Sequence, residues 1–527
     1  MYKFITAILI TLAFNTGAQP NTIGLQYTDY SASEGYSLFS PKNSSKVYLI
    51  NNCGEVVHFW TCSSTPRQTS YILEDGTLLR SGTGFVEKLD WDSNVIWTTS
   101  YSDFGISQHH DIEPLPNGNV LILAQDEYTL AEILAEGKNT SFSESLFRLD
   151  KIIEIEPAGT NSANIVWEWK FFDHLIQDFD NSKPNFGITE DNPGLLDVNF
   201  NAHDEVDFTH VNSIDYNEAL DQILLSARHL NEILIIDHST NTAEAASHLG
   251  GNSNKGGDFL WRWGNPQTYG QGTESDRKLG LQHDAKWIEA GNYAGSISVF
   301  NNQDPALPEY SSVGIVTPSI MTNEYQMTSG KFDPLEFDWT WDGDILGTPF
   351  NNVKQSGAQI LPDDHVLTIE TSKGRITEID ADGNVIWVYI NPQASDIFDQ
   401  YENPSSINAF RATKYSTDYP GFTGKSFSNQ GPIENLNSIS DSCAVQASAH
   451  LEPVKINQWS FSPVPASNEL FFKNLTLTFK GEIFDLKGNL LIQFDQNVVD
   501  VSSLSSGTYF FMITGENFIY RDKFLKN

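Results

Sequence analysis

Six times along the chain a short run of β-branched or aromatic residues closes on tryptophan. The copies are Glu55-Val-Val-His-Phe-Trp60, Asn94-Val-Ile-Trp97, Asn164-Ile-Val-Trp-Glu-Trp169, Asp258-Phe-Leu-Trp-Arg-Trp263, Leu335-Glu-Phe-Asp-Trp-Thr-Trp341 and Asn384-Val-Ile-Trp387. Their alternation predicts strands with one buried face. A second pattern recurs beside them, a hairpin with Gly, Asn or Asp at its turn. It is read at Tyr71 to Leu79, Ile112 to Leu123, Ser213 to Ser226, Trp287 to Phe300 and Ala358 to Ile369. Repeated four-stranded units of this kind predict an all-β chain whose main body is a β-propeller, with one blade per tryptophan strand and hence six blades. The competing arrangement is a pair of β-sandwiches. Spacing is uneven, 37 residues from Trp60 to Trp97 against 94 from Trp167 to Trp261, so insertions are expected between blades.

The ends break this pattern. Residues 1–18 hold a lysine, an apolar run from Phe4 to Phe14 and a small residue at Ala18, the order of a signal peptide, and the run is too short to span a bilayer. The propeller is then expected over 19–440, a linker rich in small residues over 441–457, and alternating strands with a Lys-Gly turn over 458–527, predicting a small C-terminal β-sandwich.

Charge narrows the class of partner. Against 31 Lys and Arg stand 68 Asp and Glu, net -37, which excludes nucleic acid and anionic membrane surfaces as binding partners. The 12% aromatic and 39% hydrophobic content is that of a folded chain and not of a disordered acidic one. Export permits disulfides, but Cys53 lies at a hairpin turn and Cys62 a strand's length away, about 20 Å, too far for a bridge. Cys53 is therefore expected as a structural thiol, with Cys443 unassigned.

Three of the 12 histidines stand at the same point of the hairpin repeat: His110, His210 and His283. Equivalent positions on successive blades ring the central channel, so these three are expected to converge. Pairing Tyr216 with Gln222 across the turn sets Arg228 opposite His210, and pairing Leu115 with Val120 sets Gln125 opposite His110. Imidazoles with a guanidinium suit a tetrahedral oxyanion such as a sulfate or phosphate ester. Three histidines also suit Zn²⁺ with an open position, but Arg228 beside them disfavours a cation, so no metal and no cofactor is expected. His109 is an alternative to His110 as the inward residue, because adjacent strand residues face opposite ways. Acidic loops such as 197–207 are expected to be solvated faces, with Ca²⁺ a lesser reading.

The motifs Gln108-His-His-Asp with Leu115-Pro-Asn-Gly-Asn119, Thr209-His-Val-Asn-Ser213 with Leu225-Ser-Ala-Arg228, and Leu281-Gln-His-Asp284 with Val299-Phe-Asn-Asn302 resemble the bacterial arylsulfate sulfotransferase family over about residues 45–395. That resemblance implies a six-bladed propeller which moves sulfate between phenols without a nucleotide donor. It implies a transiently sulfated His283, supported by His210, Arg228 and His110, with Asn212 and His109 binding substrate. The last-blade motif, usually Asn-Gly-Asn-Thr-Leu in the family, here reads Pro362-Asp-Asp-His-Val-Leu, and the N-terminal β-sandwich of better-known members is missing. The C-terminal segment, with Asp485-Leu-Lys-Gly488, Leu504-Ser-Ser-Gly-Thr-Tyr509 and a basic end, resembles the sorting domain of the type IX secretion system. This implies that the secretion machinery is a partner and that the product is secreted or held at the cell surface. The expected small molecules are an aryl sulfate and a phenol. The alternatives are a non-catalytic surface propeller and a sulfate-ester hydrolase.

Overall fold

The structure is a computed structural model and describes residues 21–200, 206–435, 460–462, 466–473, 479–485, 490–515 and 518–527. The expected signal peptide and linker lie outside the described residues. The chain divides into two compact units, 1–437 and 438–527.

Six antiparallel sheets of four or five strands form the body of the described part of the first unit, beside four two-stranded ones in its loops. Blade 1 combines Ala409–Tyr415 with Tyr36–Pro41, Lys46–Ile50 and Val56–Thr61. Blade 2 is Pro66–Ile72, Leu78–Gly82, Phe85–Leu89 and Val95–Ser100. Blade 3 is Ser107–Pro114, Val120–Thr129, Leu146–Ala158 and Ser162–Lys170. Blade 4 is Val211–Asn217, Gln222–Ala227, Glu232–Asp237 and Trp261–Trp263. Blade 5 is His283–Trp287, Ile297–Asn301, Ser312–Val316 and Trp339–Trp341. Blade 6 is Gly357–Ile360, Val366–Glu370, Arg375–Ile379 and Val385–Ile390, with Gly24–Thr28 added outside. The first strands touch in cyclic order, and Ala409–Tyr415 meets both Pro66–Ile72 and Gly357–Ile360. The unit is therefore a closed β-propeller. Its seam explains why five hairpins accompany six tryptophan strands: the first strand of blade 1 comes from the far end of the unit.

All six tryptophan runs form fourth strands. Their indoles are buried and donate to the next blade around the ring. Trp60 reaches Asp90 O (3.0 Å), Trp97 reaches Ser162 O (2.9 Å), and Trp167 reaches Thr240 Oγ1 (3.2 Å). Trp261 reaches Asp333 O (2.9 Å), Trp341 reaches Gly383 O (3.0 Å), and Trp387 closes the circle on Asn52 O (2.8 Å). Each indole so combines a large apolar burial with a satisfied N–H. The turns before three of these strands share one construction. Asn51, Asp90 and Asp380 each accept, on one side-chain oxygen, the backbone N–H groups two and four residues on.

Insertions lie within blades as well as between them. Residues 171–210 join blades 3 and 4, but 238–260 and 317–338 separate third and fourth strands of blades 4 and 5. Cys53 is disulfide-bonded, not the thiol expected, while Cys62 is free and buried. Distance along the strand correctly excludes a bridge between these two, but it does not make Cys53 a free thiol.

In the second unit, Ser460–Ser462, Glu469–Lys473 and Val498–Asp500 form one sheet. Leu490–Phe494, Phe479–Phe484, Gly507–Gly515 and Phe518–Lys526 form another. Leu470, Phe472, Ile483, Val499, Phe511 and Phe524 fill the core of this small β-sandwich.

Candidate functional site

The first strands of blades 3, 4 and 5 each break their ladder at the histidine motif. Register shifts fall between Ile122 and Ala124, between Val211 and Ile214, and between His283 and Lys286. His110 (φ 59°), His210 (φ 45°) and Asp284 (φ 56°) occupy the left-handed region, which costs a residue with a Cβ about 1–3 kcal/mol. Such a bulge turns consecutive side chains to one side. His109 and His110, which a regular strand would point apart, both reach the site, with ring centroids 4.1 Å apart.

Around the bulges the imidazoles are pinned through Nδ1. His109 Nδ1 meets Asp150 Oδ1 (3.0 Å), His110 Nδ1 meets Gln68 Oε1 (2.7 Å), and His210 Nδ1 meets Asp207 Oδ2 (2.6 Å). The Nε2 atoms of His110 and His210 face each other at 3.1 Å. Asp150 also accepts from Thr209 Oγ1 (2.6 Å) and from the Val211 N–H (2.7 Å), so it anchors the segment bearing His210 to blade 3. Asp207 accepts Gln125 Nε2 at 2.7 Å on its other oxygen. Arg228 donates its Nη1 to His229 Nε2 (2.7 Å), and His229, stacked on His210 at 4.6 Å, donates its Nδ1 to Asp207 O (2.6 Å). Burial holds the His229 imidazole down to about 4 and pushes that of His110 well below the ordinary histidine range.

His283 is buried at the opening of blade 5. Asn302 fixes its tautomer. The Asn302 Nδ2 donates to Asn352 O (2.6 Å) and Gln355 O (2.8 Å), which leaves Oδ1 to accept from His283 Nδ1 at 2.7 Å. The lone pair is therefore on Nε2, where the Gln355 N–H donates to it at 3.1 Å. Burial lowers the His283 pKa to about 3 against the opposing Asn302 bond, and the positive charges of Arg228 and Arg411 add to the lowering.

Below the imidazoles lies a layer of paired charges. Arg411, on the seam strand, donates Nη1 to Asp111 Oδ2 (2.7 Å) and Nη2 to Asn212 O (3.1 Å), and its Nε lies 2.9 Å from Asp284 Oδ1. Lys286 Nζ bridges Glu113 (2.9 Å) and Asp215 (3.1 Å). Burial raises the pKa of Asp284, Asp215 and Glu113. Side chains of this layer also stitch neighbouring first strands: Ser213 Oγ accepts the Ala285 N–H (3.0 Å), and Asp284 Oδ2 accepts the Ala358 N–H (3.2 Å).

His110 and His210 are in direct contact, with His109 beside them and His283 and Arg228 within electrostatic reach of each other. Asn212 is wholly buried and commits Nδ2 to Gln282 O (2.7 Å), bracing the residue before His283. Arg228 does stand opposite His210, its N–H on His210 O at 3.2 Å. The turn, however, pairs Asn217 with Gln222, and the bulge supplies the missing step. Gln125 pairs with Ser107, not His110, because the turn pairs Pro114, not Leu115, with Val120 and the bulge of blade 3 takes up two further residues of the first strand, and it reaches the site only through Asp207. Asp207 itself is half-buried and binds His210, so this end of the acidic loop is not a solvated face. Sequence reasoning missed Arg411, Gln68, Asp150 and Gln355. None of the four stands in a repeated motif, and Arg411 shares its strand with a second cation, Lys414.

A ring of blades whose first strands carry a cluster of histidines, with Arg411 on the seam strand, defines a β-propeller with a polar site. The family model for arylsulfotransferase (ASST) matches residues 72–392, more than half of the chain, and the chain belongs to that family. Residues 460–527 match the model described as a secretion system C-terminal sorting domain of the type IX kind, which marks the protein for secretion and cell-surface attachment. No curated protein matches the chain. Among solved structures, a protein of unknown function from Bacteroides caccae is 12% identical over 72% of this chain and 99% of its own, with a TM-score of 0.39. A streptogramin B lyase is 11% identical over 75% and 98%, with a TM-score of 0.33. The β-propeller domain of Swd1 (Cps50) from Myceliophteria thermophila is 10% identical over 71% and 90%, with a TM-score of 0.34. These likenesses are too distant to carry function. No described helix is long and apolar enough to cross a membrane.

Proposed function

We propose that the protein transfers a sulfuryl group from an aryl sulfate ester to a phenolic acceptor through a sulfated His283, without a nucleotide donor. The observation that carries this reading is the fixed tautomer of His283. With Nδ1–H held by Asn302 and the pKa held near 3, Nε2 bears an unprotonated lone pair at neutral pH. In the first half-reaction Nε2 attacks sulfur, the N–S bond forms, the S–O bond to the ring breaks, and the phenolate leaves with the electron pair. In the second, the phenolate of the acceptor attacks the same sulfur and returns the imidazole. Arg228, His210 and His110 would meet the charge on the sulfuryl oxygens, each donor being worth about 3 kcal/mol. Asn212 positions the strand start through Gln282, and His109 borders the substrate. The Gln355 N–H now on Nε2 must leave the lone pair as sulfur approaches, and there it is placed to donate to a sulfuryl oxygen instead.

Turnover of 4-nitrophenyl sulfate with phenol by the wild type and by His283→Ala tests this reading. Equal turnover would refute it. Sulfate release without phenol would instead mark a hydrolase. No turnover with any acceptor would favour the non-catalytic propeller, a reading that the capped Nε2 supports.

A further inference from the structure

One guanidinium reaches residues beside His110, His210 and His283 together. Arg411 donates Nη1 to Asp111, the neighbour of His110, at 2.7 Å, and Nη2 to the carbonyl of Asn212, two residues past His210, at 3.1 Å. Its Nε lies 2.9 Å from Asp284, the neighbour of His283. These three residues stand on the first strands of blades 3, 4 and 5, and Arg411 on that of blade 1. Blade 1 adjoins only blades 2 and 6, so the side chain reaches across the centre of the ring and does not join neighbouring sheets. Closure of the ring has other supports. The seam strand is held by its ladder to Tyr36–Pro41 and by Lys414, whose Nζ meets Glu378 of blade 6 at 2.6 Å.

We propose that Arg411 is a positioning residue of this site, which sets His110, His210 and His283 relative to one another and through them the path of the sulfuryl group. The role rests on the transfer at His283 proposed above. The bulges make such a residue necessary. At His110, His210 and Asp284 the backbone is left-handed and the strand ladder is interrupted, so the bonds that ordinarily fix side-chain direction are missing where the rings emerge. A planar fork of five donors meets acceptors from three directions at once, which the single ammonium of a lysine cannot do. Both carboxylates pass the constraint on. Asp111 accepts the Ile214 N–H of blade 4 and the Tyr71 hydroxyl of blade 2, each at 3.2 Å, and Asp284 accepts the Ala358 N–H of blade 6, also at 3.2 Å. The side chains of Arg411, Asp111 and Asp284 are 10%, 0% and 9% exposed. Apolar residues of equal volume often serve stability as well in such a place, so what the charges add is a fixed geometry. The seam strand also backs one ring directly, because Phe410 lies within 7° of parallel to His110 at 6.2 Å. Burial first, and the charge of Arg411 after it, hold His110 and His283 below the ordinary histidine range.

Arg411→Lys in the full chain tests this, because it keeps the charge and loses the fork. With 4-nitrophenyl sulfate and phenol, kcat should fall about 10- to 100-fold while KM changes by no more than about 2-fold. In chains labelled with ¹⁵N-histidine, the ring signals of His110, His210 and His283 should move. Those of His174 and His238, which face Asp258 and Glu154 instead, should stay. Asp284→Asn should give a smaller loss of kcat, and the two losses should not add in the double variant, since both act through one contact. Wild-type kcat in folded Arg411→Lys, or a loss shown only in KM, would overturn the proposal. If the wild type moves no sulfate at all, the transfer reading fails by itself, and the histidine signals still decide whether Arg411 positions the rings. Unmoved signals of His110, His210 and His283 overturn the role in either case. Should Arg411→Lys fail to fold, Asp284→Asn decides, and full kcat with an unmoved His283 signal would contradict the assignment.

Discussion

The indole of Trp387 donates to the backbone carbonyl of Asn52 at 2.8 Å, joining blade 6 to blade 1 across 335 residues of sequence. It is one of six such bonds around the ring, and it lies at the seam, where blade 6 meets the blade built from both ends of the unit. Trp387→Phe should cost about 1–2 kcal/mol, because the lost donor leaves a carbonyl without its partner. Trp387→Ala should cost about 3–5 kcal/mol by adding a cavity. Urea unfolding followed by fluorescence checks both, and a phenylalanine variant as stable as the wild type would deny the bond a role in closure.

Asn302 acts on the reaction through His283. Asn302→Leu removes the acceptor that fixes the Nδ1–H tautomer and should lower kcat about 10- to 100-fold with little change in KM. Asn302→Asp keeps an acceptor and adds a negative charge, which should raise the His283 pKa and move the acid limb of the rate profile upward. A merely structural asparagine would show no such displacement.

The pH dependence follows from burial. With its pKa near 3, His283 stays neutral down to pH 4, so the first half-reaction should not decline between pH 7 and 5 as a free imidazole would. Stability behaves differently. His283, His229 and His58 have folded pKa values of about 3, 4 and 4, below the unfolded value of about 6.5. Below pH 6.5 the unfolded chain takes up protons that the native chain refuses, so their contribution is complete above 6.5 and lost as pH falls toward 3. Denaturation midpoints measured from pH 7 to 4 should fall steadily, while single-turnover rates on chain that remains folded stay level over the upper part of that range.

Much of this architecture is legible in the sequence because its signals are local. The Asn-Val-Ile-Trp and Asp-Gly runs carry turn chemistry and burial together, and every tryptophan strand falls in the same position of its sheet. The seam strand Ala409–Tyr415 is not legible, since it pairs with Tyr36–Pro41 and has no hairpin turn of its own. Arg411 is hidden with it. The bulges are hidden for another reason: left-handed backbone at His110 and His210 is imposed by tertiary contacts, with no glycine to announce it. Register counted from a turn therefore places Arg228 correctly and Gln125 incorrectly. Cys53 illustrates the same limit, because spacing excludes one partner without naming another.

None of the candidate site residues lies beyond Arg411, and the last blade is complete at Ile390. A chain ended at Ala447 should therefore be soluble and as active as the full chain, yet no longer displayed at the cell surface, because it lacks the match at 460–527. Specific activity and cell fractionation check the two halves separately. Loss of turnover in the shortened chain would make the second unit part of the enzyme.

The central claim is a covalent bond from sulfur to His283. The most direct measurement is mass spectrometry of the chain quenched in alkali after incubation with 4-nitrophenyl sulfate and no acceptor. The account predicts a mass increase of one sulfuryl group, mapped to the peptide containing His283, absent from His283→Ala and lost when phenol is added. A wild-type chain that transfers sulfate at full rate while His283 remains unmodified would contradict it.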